Sequence, residues 1–243
     1  MWTGNFWLGD LTASTCPLLL VSARLIESRY IVSTISIIGV GNMARILGTR
    51  ALDGGNTVEV IGRDAAKAAT LAKELGGSTT AGTFGSTPAG DIVILAVPYG
   101  SAAPIVSHYG DALSGKVIVD ISNPFDRTGT ELVTPAASSA AEETAKVAPA
   151  GAHVVKAFNT LFGHVLAADQ VGGRPLDVFI AGDDAAANAR VSTFIESLSL
   201  RPLDVGDLKM AHWVEGAGLL MMAPLVGKAV GHENFWLGIN ALG

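Results

Sequence analysis

Two glycines and an alanine at the spacing G-x-G-x-x-A, from Gly39 to Ala44, could bind an anion through the main chain. The first glycine of such a pattern permits a tight turn, and a side chain on the second, Gly41, would block the approach of a phosphate. A helix that starts at the turn adds free N–H groups and a partial positive charge. The predicted pyrophosphate loop consists of Gly39, Val40, Gly41, Asn42, Met43 and Ala44.

The segments around this loop have the patterns that a dinucleotide site requires. The apolar run Ile35 to Ile38 predicts a strand, residues 42–52 predict a helix that ends at Asp53, and Thr57 to Ile61 predicts a second strand. This βαβ order is typical of dinucleotide-binding folds, and it makes a short glycine motif informative.

The end of the second predicted strand indicates which dinucleotide is bound. A site for NAD usually places Asp or Glu here to bind the ribose hydroxyls, whereas this chain has Gly62 and Arg63. The planar guanidinium of Arg63 suits a phosphate, and Lys67 follows one helical turn later, so we predict NADP(H). Asp64 could instead be a ribose ligand of an NAD site, but we favour it as the N-cap of a helix over residues 65–75.

The rest of the chain alternates between strand-like and helix-like segments. Strands are predicted at residues 78–81, 91–97, 116–120, 152–156, 177–181 and 201–205. Helices are predicted at residues 101–109, 138–147, 185–198 and 209–230, the last interrupted at Pro224. This alternation predicts an α/β fold: a Rossmann-type, doubly wound parallel sheet with a smaller C-terminal helical or mixed part.

Three regions are expected along the chain. Residues 33–165 form the predicted NADP-binding domain, and residues 166–243 the predicted substrate and dimerisation part. Residues 1–32 precede the first strand, and three interpretations stay open for them: a mis-assigned start with translation beginning near Val32, a loosely ordered extension, or an added helix at about residues 18–27.

The carboxyl ends of the predicted strands should carry the reacting rings, because open α/β sheets bind ligands there. Pro98 and its neighbours offer a flat apolar wall, and two asparagine amides could hold a carboxamide or the edge of a flavin-like ring. The predicted ring-stacking pocket consists of Val97, Pro98, Asn123, Pro124, Phe158 and Asn159, with further cofactor contacts from Ala96 and Ala157. The alternative is that each Asn and Pro only shapes a turn.

Composition excludes several classes of function. The chain has 243 residues, 49% of them hydrophobic, and a mean hydropathy of +0.42, so we expect a large buried core or a subunit interface. The longest nearly apolar stretch, residues 216–226, is far shorter than the roughly 18 residues that span a bilayer. A net charge of −6 without a basic stripe argues against nucleic acid. The single cysteine, Cys16, excludes an internal disulfide and favours a reducing cytoplasm.

No residue pattern demands a metal or a nucleophile. The five histidines have no metal-ligand spacing, and of these only His164, after a strand end, merits a test. Lys156 could be a proton donor, but at the end of a buried strand it more plausibly contacts a phosphate, a carboxylate or water. Trp213 and Glu215 could face a second substrate, although their helical spacing favours the core or a dimer interface.

The combination GVGNMA, LAVP, DISNP, VVKAFNT, PLDVFIAGDD and SLSLRPLDVG resembles the NADPH-dependent reductases of coenzyme F420, a deazaflavin, over residues 33–243. The nucleotide domain of the STEAP metalloreductases shares this fold. The resemblance implies hydride exchange between stacked nicotinamide and deazaflavin rings, a homodimer, and a C-terminal part that closes over the second substrate. This chain departs from the family at Gly62, where members commonly carry Ser or Thr.

Other activities remain open at this point. A relative could pass the hydride to a flavin or to ferric iron instead of coenzyme F420. A small-carbonyl or imine reductase on the same fold would need a placed acid such as Lys156. The chain could also be a non-enzymatic NADPH-binding module.

Overall fold

The computed structural model describes residues 32–168, 173–222, 228–231 and 234–240. Eight strands form one sheet: β1 (Thr34–Ile38), β2 (Thr57–Gly62), β3 (Thr80–Thr83), β4 (Ile92–Leu95), β5 (Val117–Asp120), β6 (His153–Lys156), β7 (Asp177–Gly182) and β8 (Arg201–Asp204). Their order is β3-β2-β1-β4-β5-β6-β7-β8. This confirms the predicted Rossmann-type fold.

Seven helices cover the two faces of the sheet in the described part of the chain. They are α1 (Asn42–Asp53), α2 (Ala65–Leu75), α3 (Tyr99–Tyr109), α4 (Ala140–Lys146), α5 (Gly163–Ala167), α6 (Ala185–Ser197) and α7 (Ala211–Met222). Short 3-10 turns lie at Gly110–Leu113 and Leu208–Met210. Buried side chains of α1, α2, α5 and α6 form one core cluster, and those of α3, α4 and α7 form a second. The strands alternate between the two, as Ile37 and Ile38 do, because successive side chains point to opposite faces.

The last two strands correct the prediction of an all-parallel sheet. β7 pairs antiparallel with β6, and β8 then runs parallel to β7. After β6 the chain is still near the edge where β6 ends at Gly163, since an added Cβ on Gly163 would lie 3.0 Å from Nδ2 of Asn42. β7 therefore starts from that edge and runs back. The same sheet thus continues past residue 165, where we expected the C-terminal part to begin.

Several boundaries differ from the sequence-based expectation. The short helix α5 was not predicted, and β3 lies two residues later than expected. The C-terminal helix begins at Ala211 after a 3-10 turn. Its expected passage through Pro224 lies outside the described residues, whereas residues 228–230 are described and helical. Residues 1–31 of the extension also lie outside the described residues.

Candidate functional site

Gly39 is fixed by packing between β1 and β4. Its φ is +138°, and a Cβ there would lie 2.2 Å from the carbonyl oxygen of Ala96. Its N–H donates to the carbonyl of Ile61 at 2.8 Å, and the N–H of Ala96 donates to that of Ile38 at 2.9 Å. Any other residue would therefore push β1 and β4 apart, so this glycine is needed by the fold itself.

Gly41 has a different role, because it faces open space. It is the N-cap of α1 with an extended backbone, and a Cβ built on it meets nothing within 4 Å. No side chain caps the helix there, and no acidic residue occupies the first turn. The N-terminal N–H groups of α1 thus remain available to an anion, and the loop fits a pyrophosphate. Asn42 is exposed, Val40 and Met43 are half-buried, and Ala44 is buried beneath the helix.

At the end of β2, some residues serve packing and others are available to bind a ligand. Gly62 is buried, and a Cβ on it would lie 2.8 Å from Cγ1 of Val40. Asp64 caps α2 by accepting the N–H of Lys67 at 3.1 Å, and this bond lowers the pKa of the carboxyl group. The Lys67 ammonium lies 3.6 Å from the same carboxylate. Arg63, next to Asp64, is also exposed, so two cations at this strand end project to solvent.

The residues of the predicted ring pocket differ in how far they are exposed to solvent. Ala96, Val97, Pro98 and Asn123 retain exposed surface at the carboxyl edge, whereas Pro124, Ala157 and Phe158 are buried. Phe158 has φ +61°, and its ring packs edge-on against Phe194 with centroids 6.3 Å apart. The aromatic ring that we expected to stack on a ligand is therefore part of the core. A buried Phe packed for stability produces the same sequence pattern as a binding residue.

Asn123 and Asn159 join the ends of β5 and β6 through a pair of amides. Nδ2 of Asn123 donates to the main-chain carbonyl of Asn159 at 2.9 Å, and Nδ2 of Asn159 donates to Oδ1 of Asn123 at 3.0 Å. Nδ2 of Asn159 also donates to the carbonyl of Val214 in α7 at 3.1 Å. Because carbonyl oxygens can only accept, these bonds fix the orientation of both amides.

Oδ1 of Asn159 is left without a partner in the described part of the chain, and it is buried. Leaving such an acceptor unpaired costs about 1–3 kcal/mol. An N–H donor would satisfy it, but a bound ring has no direct path to an atom with so little exposed surface. Asn123 keeps exposed surface, so it is the amide of the pair that could contact the edge of a ring bound at this end of the sheet.

A buried ion cluster lies beneath the amide pair. Nζ of Lys156 lies 2.7 Å from Oε1 of Glu215 in α7 and 3.4 Å from Oδ1 of Asp120. It also donates to the carbonyl of Ser122, so all three ammonium hydrogens have acceptors. Asp120 accepts further bonds from Ser122 and from the hydroxyl of Thr144. Lys156 is fully buried and fully engaged, so it has no surface from which to give a proton to a substrate.

Glu215 connects this cluster to α4. It accepts the N–H groups of Ala140 and Ala141 at 3.0 and 3.4 Å. Burial raises the pKa of its carboxyl group, while Lys156 and these N–H groups oppose that rise. Sequence reasoning missed its partnership with Lys156. The available signal was a charge at the ends of two apolar strands, since Asp120 and Lys156 are register partners in β5 and β6.

Tyr99 adds a second polar contact at the same edge. Its hydroxyl donates to Oε2 of Glu143 in α4 at 2.6 Å. Burial, followed by the hydrogen bond and charge of Glu143, raises the pKa of Tyr99 to about 12. The hydroxyl is therefore neutral and oriented at physiological pH. The sequence contained the residue in the segment AVPYG but no sign of its partner.

The other predicted residues lie apart from this edge or serve packing. His164 stacks on Phe162, and Nδ1 of His212 lies 2.8 Å from the carbonyl of Ser138. Trp213 is 68% exposed, so of the two expectations for it the core is wrong and a dimer interface stays a prediction. Among the described residues, no three His, Cys, Asp or Glu side chains are grouped to hold a metal ion. No helix in the same ranges has both the length and the apolar character to cross a membrane.

One cleft is lined by none of the residues predicted for the site. It has a volume of about 660 Å³ between the last turns of α1 and α6 and the end of α5. Arg50 in its wall donates to the carbonyls of Leu166, Leu198 and Ala168, which are exposed at the ends of α5 and α6. These bonds satisfy carbonyl groups at the ends of helices, so a structural role is enough to explain why an arginine lies here.

Three comparisons relate the chain to known proteins. A family model described as "NADP oxidoreductase coenzyme F420-dependent" matches residues 34–124. The metalloreductase STEAP3 of Rattus norvegicus is 31% identical over 210 residues, which cover 84% of this chain and 41% of the relative. The chain thus spans about two fifths of the length of that curated relative.

Two solved structures are similar over most of the fold. A candidate F420-dependent NADP reductase of Arthrobacter sp. FB24 has a TM-score of 0.75 and 25% identity, covering 85% of this chain and 99% of that one. The hypothetical protein SMa0349 of Sinorhizobium meliloti has a TM-score of 0.65 and 31% identity, covering 76% and 89%.

Proposed function

Because the chain belongs to the family of NADP oxidoreductases whose model matches it, we propose that it transfers a hydride between NADP(H) and coenzyme F420 or a related flavin-like acceptor. The observation that carries this proposal is the open main-chain cradle at Gly41, beside strand ends that present the amide pair of Asn123 and Asn159. The cradle supports a nucleotide, and the amide pair supports a ring with an amide edge.

The charges at the end of β2 support NADP(H) over NAD. Asp64 is committed to capping α2, so its carboxylate is a poor candidate for a ribose ligand. Arg63 is exposed beside it and suits a 2′-phosphate, with Lys67 as a second cation in the next helical turn. The pyrophosphate would bind the N-terminal N–H groups of α1.

The protein's own residues would chiefly bind and orient. NADPH supplies the hydride when bound, so no general acid or nucleophile has to start the reaction. Val97 and Pro98 would form one wall of the ring site, and Asn123 and Asn159 would set the rotation of the acceptor ring. Hydride transfer needs contact distance and alignment, and both come from this rigid edge.

The nature of the acceptor is the open part of the proposal. A flavin or a ferric chelate stays a candidate because the STEAP3 relative is named a metalloreductase. A small-carbonyl or imine reductase relying on Lys156 is disfavoured, because that ammonium is sealed between two carboxylates. A non-enzymatic NADPH-binding sensor would leave the Asn123–Asn159 amide pair without a second ligand to bind.

The assembly and location are also proposals. The outer side of α7 carries Trp213 at 68% and Leu220 at 69% exposure, which supports a homodimer that covers them. We propose that the protein acts in the cytoplasm, where its lone Cys16 would stay reduced. Residues 166–243 would then supply both the acceptor side and the dimer contact.

The test is NADPH oxidation by the purified protein with coenzyme F420, FMN or a ferric chelate as separate acceptors and NADH as the control nucleotide. Deazaflavin-dependent oxidation that prefers NADPH supports the proposal. Activity with FMN or iron alone moves the protein to a metalloreductase-like role. NADPH binding without oxidation by any of the three would overturn the proposed reaction and favour carbonyl substrates or a sensor.

A further inference from the structure

Helix α7 lies directly on the amide pair at the carboxyl edge. Its buried side consists of Ala211, Val214, Glu215 and Gly218. The carbonyl of Val214 accepts from Asn159, and one helical turn further a Cβ on Gly218 would lie 3.1 Å from Oδ1 of Asn123 and 3.2 Å from Nδ2 of Asn159. A methyl group at residue 218 would therefore crowd both amides and the main-chain carbonyl of Asn159, 3.3 Å away, by a few tenths of an ångström.

The helix is also held firmly at this point. Glu215 is paired with Lys156 at 2.7 Å and accepts the N–H groups at the start of α4. Both charged side chains are buried, so moving α7 outward would leave an uncompensated charge in the core. Because Glu215 holds α7 in place, we expect the asparagine amides to take up most of the few tenths of an ångström that a methyl group at residue 218 requires.

We propose that Gly218 is a positioning and specificity-determining residue for the acceptor half of the site. It sets the location of the Asn123–Asn159 amide pair, and through that pair the alignment of a planar acceptor with an amide or lactam edge. This inference rests on the proposed hydride transfer. The pyrophosphate loop and Arg63 lie at β1 and β2, so the nucleotide half of the site should be insensitive to residue 218.

The chain offers a matched control in the same helix. Gly216 is two residues away, and a Cβ built on it meets nothing within 4 Å. Gly218→Ala and Gly216→Ala each add one methyl group to α7 and remove the same backbone freedom from the unfolded chain. Only the first presses on the asparagines, by a few tenths of an ångström.

The kinetic experiment compares the two variants with coenzyme F420, and with FMN as a second acceptor. For Gly218→Ala we expect kcat/KM for the acceptor to fall about tenfold or more, because small misalignments of reacting rings are costly. The kinetic isotope effect measured with NADPH deuterated at the transferred position should rise, because misaligned rings make hydride transfer slower relative to the other steps. The Kd of NADPH should stay within about twofold, because the substitution affects the reaction and not the binding of this nucleotide. Gly216→Ala should match the native protein in all three quantities.

A structural readout keeps the inference testable apart from turnover. The side-chain amide ¹H–¹⁵N resonances of Asn123 and Asn159 should shift in Gly218→Ala and not in Gly216→Ala, with thermal unfolding reporting that both variants fold. If neither pair of resonances moves, or if both variants lose acceptor affinity equally, Gly218 does not have this role. If the native protein reduces no acceptor and fails to bind coenzyme F420, as followed by its fluorescence, the proposed function fails as well. The inference would also be contradicted if Gly218→Ala lost affinity for NADPH and Gly216→Ala did not.

Discussion

The ammonium of Lys156 at the end of β6 lies 2.7 Å from the carboxylate of Glu215 in α7, with both side chains fully buried. Lys209 and Asp207 have the same 2.7 Å separation, but these side chains are 74% and 47% exposed. The two pairs have equal length but differ in their surroundings, because Lys156 is buried and also contacts Asp120 and the carbonyl of Ser122, whereas Lys209 and Asp207 face water. That difference decides what each contributes to stability.

Removing one partner of the buried pair should be strongly destabilising. Lys156→Met leaves two carboxylates in the core without their cation, and we expect it to lower the free energy of unfolding by about 3–5 kcal/mol. Urea denaturation measures this. Lys209→Met, the exposed control, should change stability far less, because its ion pair is surrounded by water. Equal effects of the two substitutions would contradict the buried-pair interpretation.

The two glycines of the phosphate loop should separate folding from binding. Gly41→Ala adds a methyl that meets no protein atom, so the thermal unfolding midpoint should stay unchanged while NADPH affinity falls at least about tenfold. Gly39→Ala would clash with the carbonyl of Ala96 and should destabilise the fold by more than about 2 kcal/mol. Calorimetry and a fluorescence titration with NADPH distinguish them. Unchanged NADPH affinity in Gly41→Ala would show that the loop does not hold the pyrophosphate.

Arg63 should determine the preference between the two nucleotides. Arg63→Ala should weaken NADPH binding at least about tenfold and leave NADH binding within about twofold, because only NADPH carries a 2′-phosphate. Arg190, an exposed arginine on α6, provides the control, and Arg190→Ala should affect neither nucleotide. A titration of both nucleotides against each variant gives the ratio. Parallel losses for NADPH and NADH would assign Arg63 to general electrostatics.

The hydroxyl of Tyr99 should ionise at a higher pH than that of an ordinary tyrosine. Burial and Glu143 raise its pKa to about 12, above the ordinary value of 10. The folded state therefore keeps this proton where the unfolded state loses it. The stability from the contact should be complete below pH 10 and should decline as pH rises from 10 toward 12.

An ultraviolet titration of tyrosine ionisation tests this directly. Tyr99→Phe should remove the step near pH 12, and Glu143→Gln should move that step toward pH 10. Tyr109→Phe, at the other end of α3, should leave the Tyr99 step in place. If the step that Tyr99→Phe removes lies near pH 10 in the native protein, the bond to Glu143 does not persist in solution.

Much of the nucleotide half of the site was predictable from local patterns. The βαβ unit follows from apolar runs and glycines within a few residues of one another, and the structure places α1 and β2 within one residue of the expected bounds. The N-cap role of Asp64 was likewise predictable, because capping depends on the four residues that start a helix. Local sterics and burial periods decide these features, and both are written in neighbouring residues.

The tertiary structure alone decided the acceptor half. The sequence could not show that β7 reverses, that Phe158 turns into the core, or that Glu215 finds Lys156, because each depends on segments distant in the chain meeting in space. Gly218 is the clearest case. In the sequence it is one of several small residues of a predicted helix, and only the packing of α7 on two asparagines explains why a glycine lies there. Short-range patterns specify elements, whereas long-range packing specifies which atoms of those elements touch, and the chemistry at this edge depends on the second.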